Sequence, residues 1–144
     1  MKRFALPFAL SLLLFNISTS AQETKTSSDE SSAVRATVRN YIEAYYTGDA
    51  PRMEQTLHPH YLKHMIHGNI PIREKTGPEM VREVRTNGVP DLPPAERIEQ
   101  VTVLDISGDI ASAKLVTPHW VDYMTLSKSD GGWKILSVVQ RIDN

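Results

Sequence analysis

The sequence predicts an α+β domain, with helices first and a curved sheet last. Three observations carry this. Apolar residues recur at helical spacing from Val34 to Tyr45, extended apolar segments fill the stretch after Ala95, and Gly/Asp turns cut that stretch into regular strands.

Ahead of the domain, Lys2-Arg3, the apolar run Phe4 to Phe15 and the small residues Thr19-Ser20-Ala21 form the pattern of a secretory signal, so residues 1–21 are read as a cleaved signal peptide. The run is shorter than the roughly 20 residues a bilayer-spanning helix needs, so no stable membrane anchor is expected after cleavage. Residues 22–32 are Ser/Thr-rich with scattered charge and few apolar groups, and are read as a flexible leader. The domain proper is 33–144.

Ser27 and Glu30 have capping-box spacing ahead of an amphipathic helix carrying Val34, Val38, Tyr41, Ile42 and Tyr45, which Gly48 ends. Asp49 is the next N-cap, Pro51 fits a first turn, and a short second helix stops before His58-Pro59. A hairpin follows, from His60 to His67 and returning over Ile70 to Arg73. Thr76 with Glu79 opens a third helix bearing Met80, Val81 and Val84, and Pro90, Pro93 and Pro94 make a connector. Ile98 to Ile106, Ile110 to Thr117, Trp120 to Lys128 and Trp133 to Ile142 then read as an antiparallel meander.

Composition narrows the function classes. The chain has 144 residues, no cysteine and a formal charge of −1, so disulfides, thiolate metal sites and a lipidated cysteine are excluded. Without Lys2 and Arg3 the mature part is mildly acidic and has no basic stripe, which argues against nucleic acid as a partner. No cofactor motif is present.

In this element order, Tyr45-Tyr46-Thr47-Gly48-Asp49, Leu57-His58-Pro59-His60, Ile106-Ser107-Gly108-Asp109-Ile110-Ala111 and Asp130-Gly131-Gly132-Trp133-Lys134-Ile135 resemble the NTF2-like superfamily, in the branch labelled putative lumazine-binding. The resemblance implies a cone, in which a strongly curved antiparallel sheet wraps the N-terminal helices around a cavity. It also implies a homodimer through the outer sheet face, and functions that range from ligand binding to isomerisation and dehydration. A lumazine- or flavin-like ligand follows from the branch name alone. Where many enzymatic relatives carry an acidic residue after the proline that follows the helical hairpin, this chain has His60.

Four of the five histidines lie between His58 and His67. Period-two geometry groups His60, Leu62, His64 and Ile66 on one strand face and Tyr61, Lys63, Met65 and His67 on the other. His60 and His64 are candidate acid-base groups or simply satisfied imidazoles; no His-Glu-x-x-His pattern accompanies them, and no metal is assigned. Asp122 shares its face with Trp120, Met124 and Leu126, so it is a candidate general base or neutral donor, or a hydrated strand-end carboxylate. Tyr41, Tyr45, His60, Trp120 and Tyr123 are the candidate ligand-binding groups. Three functions fit an exported protein, periplasmic or secreted: a domain binding a small, partly apolar ligand; a small-molecule isomerase or dehydratase using His60 or His64 with Asp122; or a dimeric assembly module without a ligand.

Overall fold

The computed structural model describes residues 19–86, 93–97, 99–129 and 131–143, with backbone alone for 19–26. The expected signal peptide up to residue 18 and the connector at 87–92 lie outside the described residues.

Helix α1 runs Thr19–Thr47 and buries Val34, Val38, Tyr41 and Ile42, the stripe that its helical spacing demands. Gly48 ends it: a φ of 71° puts this residue in the left-handed region, and the Asp49 N–H reaches back 3.0 Å to the Ala44 carbonyl in a Schellman closure. Asp49 then caps α2 (Ala50–Thr56), accepting a 3.0 Å hydrogen bond from the Arg52 N–H. The third helix, α3 (Gly77–Thr86), starts where the Thr76 N–H and hydroxyl donate to Glu79 Oε2 at 2.8 and 2.7 Å.

Among the described residues there are six strands: β1 (Leu57–His67), β2 (Ile70–Thr76), β3 (Gln100–Ser107), β4 (Ile110–Val116), β5 (Trp120–Ser129) and β6 (Gly132–Ile142). They form one sheet in the order β2-β1-β6-β5-β4-β3. The β3 to β6 meander is antiparallel as expected, and so is the β1–β2 hairpin. Between these two blocks β1 lies parallel to β6, because the chain returns to β1's far side only after passing through α3 and the rest of the sheet.

Register shifts interrupt four of the five strand pairings, and each adds bend and twist to the sheet. The one between β5 and β6 has a further effect. Thr125 faces Ser137 while Leu126 faces Ile135, leaving Leu136 as the extra residue. Before it Trp133 and Ile135 point inward; after it Val138 and Gln140 do. One inserted residue thereby reverses the parity of the strand. The bent sheet packs α1 against Ala113, Leu115, Leu126, Ile135 and Val138, all fully buried.

The helix starts earlier than the sequence predicts. Residues 22–32, expected to be a flexible leader, are helical, and Ser27 and Glu30 lie inside α1 instead of capping it. The reason is tertiary: the Glu30 carboxylate accepts from Trp133 Nε1 at 2.8 Å and from Lys128 Nζ at 2.6 Å, so the β5–β6 hairpin holds a segment whose own apolar content is too low to order it.

These bonds hold the Glu30 carboxyl below its ordinary value, Lys128 contributing most and Trp133 next. A depressed carboxylate stabilises the fold above its unfolded pKa and loses that contribution as pH falls through the folded one. Glu30→Gln is therefore expected to lower the thermal midpoint at neutral pH, with the gap to wild type closing by about pH 2, as followed by circular dichroism.

Candidate functional site

Strand alternation divides β1 as expected, but the inward face is the one that carries Lys63. Tyr61, Lys63 and Met65 are buried; His60 and Ile66 are exposed and Leu62 and His64 partly so. Inside, Lys63 is 4 % exposed and Asp122 0 %. Lys63 Nζ donates to Tyr41 Oη at 3.1 Å and lies 3.7 Å from Asp122 Oδ1, too far for a hydrogen bond. Gln140, Trp120 and Lys63 approach the Asp122 carboxyl closely enough to draw it down as donors, although none of these contacts reaches full hydrogen-bond geometry. Gln140 is the cross-strand neighbour of Asp122, delivered there by the Leu136 bulge.

Burial governs the protonation of this pair. It pulls the Lys63 ammonium below its usual range, with Asp122 opposing and Lys75 assisting. It pushes the Asp122 carboxyl up, with Lys63 opposing. The two groups titrate as a unit, and desolvation moves both toward their neutral forms. Burial likewise raises the Tyr41 and Tyr61 phenols, so both remain protonated donors.

A cavity of about 280 Å³ opens beside the pair. Its walls come from Tyr41, Ile42 and Tyr45 of α1, Met80 of α3, Lys63 and Met65 of β1, Trp120 of β5 and Gln140 of β6. Tyr45 meets Trp120 edge-on, with ring centroids 5.7 Å apart. Arg73 and Lys75 of β2 line it as well, Lys75 paired with Glu83. A larger hollow of about 810 Å³ lies elsewhere, between α1, α2 and the β5–β6 turn. Its cations are already engaged: Arg52 by Asn40 and Glu43, Lys128 by Glu30, and Lys134 by the Gln55 carbonyl. The smaller cavity is the one that the Lys63 side chain and the Tyr41, Tyr45 and Trp120 rings line.

The structure therefore brings together Tyr41, Tyr45, Trp120 and Asp122 of the expected site and separates the rest. His60 and His64 face away from Asp122; His64 Nε2 meets Glu74 Oε1 at 3.1 Å on the outer face, so an acid-base pairing of either histidine with Asp122 has no geometric basis. Tyr123 is 51 % exposed on the same outer side, because it alternates with Asp122. Lys63 and Gln140 are the groups that sequence reasoning missed. Lys63 had a visible signal, its alternation with Tyr61 and Met65; Gln140 had none, since the bulge changes its face.

A sequence profile for the family described as "Putative lumazine-binding" matches residues 29–140. No curated protein matches the chain by sequence. Among solved structures, an NTF2-like protein of unknown function from Silicibacter pomeroyi is similar at a TM-score of 0.70 and 20 % identity, covering 81 % of this chain and 98 % of its own. A "putative dehydratase" of the NTF2-like family from Streptomyces avermitilis is similar at 0.54 and 16 % identity, over 82 % and 99 % of the two chains. A ketosteroid isomerase-like protein from Erwinia carotovora atroseptica gives 0.57 and 15 %, over 81 % and 98 %. At these identities the likeness is one of fold.

Removing the cation from the buried pair tests its electrostatics. Lys63→Met leaves an uncompensated carboxyl and is expected to cost about 3–5 kcal/mol at neutral pH. Because the Asp122 pKa is raised in the folded state, the penalty exists only where the unfolded carboxyl is ionised and shrinks as pH falls toward about 4. Urea unfolding across that range should show the deficit narrowing, and adding Asp122→Leu should recover most of it.

Proposed function

The chain belongs to the putative lumazine-binding family of the NTF2-like superfamily, and we propose that it binds a small, partly apolar molecule in the cavity beside Lys63 and Asp122. The observation that carries this reading is the combination of the Tyr41, Tyr45 and Trp120 rings with the Lys63 ammonium and the Gln140 amide on the walls of one cavity. Apolar walls with a few convergent polar groups are the general form of a ligand site. The volume falls just under the roughly 300–1,000 Å³ of typical sites, which suits one compact ring system of lumazine size better than a flavin nucleotide.

A second reading, proton-transfer catalysis on a carbonyl substrate, is supported by the same pair. Burial lowers the Lys63 ammonium and raises the Asp122 carboxyl, so the two values approach each other, and a proton held between such a pair is one that acid-base chemistry can move. Neighbours described as dehydratase and isomerase-like share the fold. In this form of the idea Lys63, not a histidine, partners Asp122.

The protein acts outside the cytoplasm, in a periplasm or beyond, as the signal-like residues 1–21 support. It does so as a homodimer joined through the outer sheet face, where Val139, Tyr123 and Ile66 are exposed. Val139 and Tyr123 are directly opposed across β5 and β6, which makes a continuous apolar strip.

Native mass spectrometry of protein taken gently from its host separates these statements. Wild type should retain an organic mass and appear as a dimer beginning near Gln22. Tyr45→Glu should lose the ligand and keep the dimer, whereas Tyr123→Glu should do the reverse. A wild-type protein that retains no mass and quenches no Trp120 fluorescence with any ring compound screened would end the binding reading.

A further inference from the structure

The inner face of the β1–β2 hairpin carries Lys63, Lys75 and Arg73. Lys63 and Met65 point inward from β1, and the residues directly across from them on β2 are Lys75 and Arg73. Opposed residues of an antiparallel pair project from the same side of a sheet, so like charges there are unfavourable unless anions offset them. Lys63 is offset by its buried ion pair with Asp122, and Lys75 by Glu83. The Arg73 guanidinium has neither an ion pair nor a hydrogen bond among the described residues, and it stands exposed at the mouth of the Lys63 cavity.

The other charged groups at that mouth are already engaged. Glu83 is held by Lys75, Asp143 accepts from Arg141 Nε at 3.0 Å, and His119 lies 3.7 Å from Glu96. Arg73 is therefore the cation that the cavity offers to a ligand.

We propose that the cavity takes a small organic acid, with its ionised carboxylate at the mouth against Arg73 and its ring or alkyl body against Tyr45 and Trp120. The inference rests on the reading of this cavity as a small-molecule site and names the chemical class that the site takes.

A guanidinium presents parallel N–H donors that match the two oxygens of a carboxylate, and such charge-assisted bonds are roughly twice as strong as neutral ones. A single free guanidinium calls for a single negative charge, which a carboxylate has and a phosphate ester exceeds. Deeper in, Lys63 Nζ is already bound to Tyr41 Oη and paired with Asp122, so an anion pushed there would lose its water without meeting a free cation. The Tyr45 and Trp120 rings, edge-on with centroids 5.7 Å apart, instead offer an apolar body the wall it needs. An amine in the same place would meet like charge at Arg73, Lys75 and Lys63. An edge strand such as β2 also carries charge to deter pairing with another sheet, and a guanidinium kept for that purpose alone would not discriminate among ligands.

Three probes of matched shape test this on the full-length protein: benzoate, benzyl alcohol and benzylamine, titrated calorimetrically at neutral pH. Benzoate is expected to bind at least about tenfold more tightly than benzyl alcohol, the factor that one charge-assisted hydrogen bond supplies, and benzylamine more weakly than either. Arg73→Gln should bring benzoate down to the affinity of benzyl alcohol. Arg73→Lys, which keeps the charge and loses the fork, should retain part of the preference, and added salt should narrow it. Benzoate bound no more tightly than benzyl alcohol, or a preference that survives Arg73→Gln, overturns the proposal. Benzyl alcohol binding that Tyr45→Glu abolishes would in either case leave the cavity reading standing, whereas no binding by any of the three probes takes that reading down as well.

Discussion

A sheet of six strands has to bend far enough to cover one long helix, and with no disulfide to help, the burial of that helix holds the domain together. Val34, Val38 and Ile42 of α1 have no exposed surface left, nor do Leu115, Leu126 and Ile135 of the sheet. A flat sheet would reach only part of the stripe. The register shifts are what allow closure, and they also place the polar groups, since each bulge re-aims the residues beyond it. Core and site are thus products of the same curvature.

Most of the scaffold was legible in the sequence because its signals are local. Asp49, Pro51 and Gly48 mark helix ends through chemistry confined to one turn, and Ser107-Gly108-Asp109 marks a hairpin in the same way. What was illegible depends on contacts distant in sequence. The order of residues 22–32 comes from Trp133 and Lys128, which no reading of the leader itself reveals. The parallel union of β1 with β6 is likewise a property of the whole sheet.

The site was half legible for the same reason. Alternation correctly grouped Asp122 with Trp120 and separated the His60 face from the Lys63 face, but alternation does not say which face turns inward. Attention to the histidines favoured the wrong one. Tyr61, Lys63 and Met65 make an apolar set interrupted by a single cation, and a lysine in that setting is the more unusual residue, since ammonium groups are almost never fully buried without a partner. Its presence costs stability that an apolar pair would not. Such a cost, in a buried ion pair beside a cavity, belongs to a place where function and stability pull in different directions.

The parallel contact between β1 and β6 also sets an order of events in time. Lys63 belongs to the first strand made, Asp122 to the fifth and Gln140 to the last, so the pocket has no partial form. A chain emerging from the ribosome carries the lysine long before its carboxylate exists, and β1 can pair only with β2 until β6 arrives. Non-local closure of this kind is slow relative to hairpin formation. A polypeptide that cannot finish its sheet until its last strand appears closes its core only when its synthesis is nearly complete.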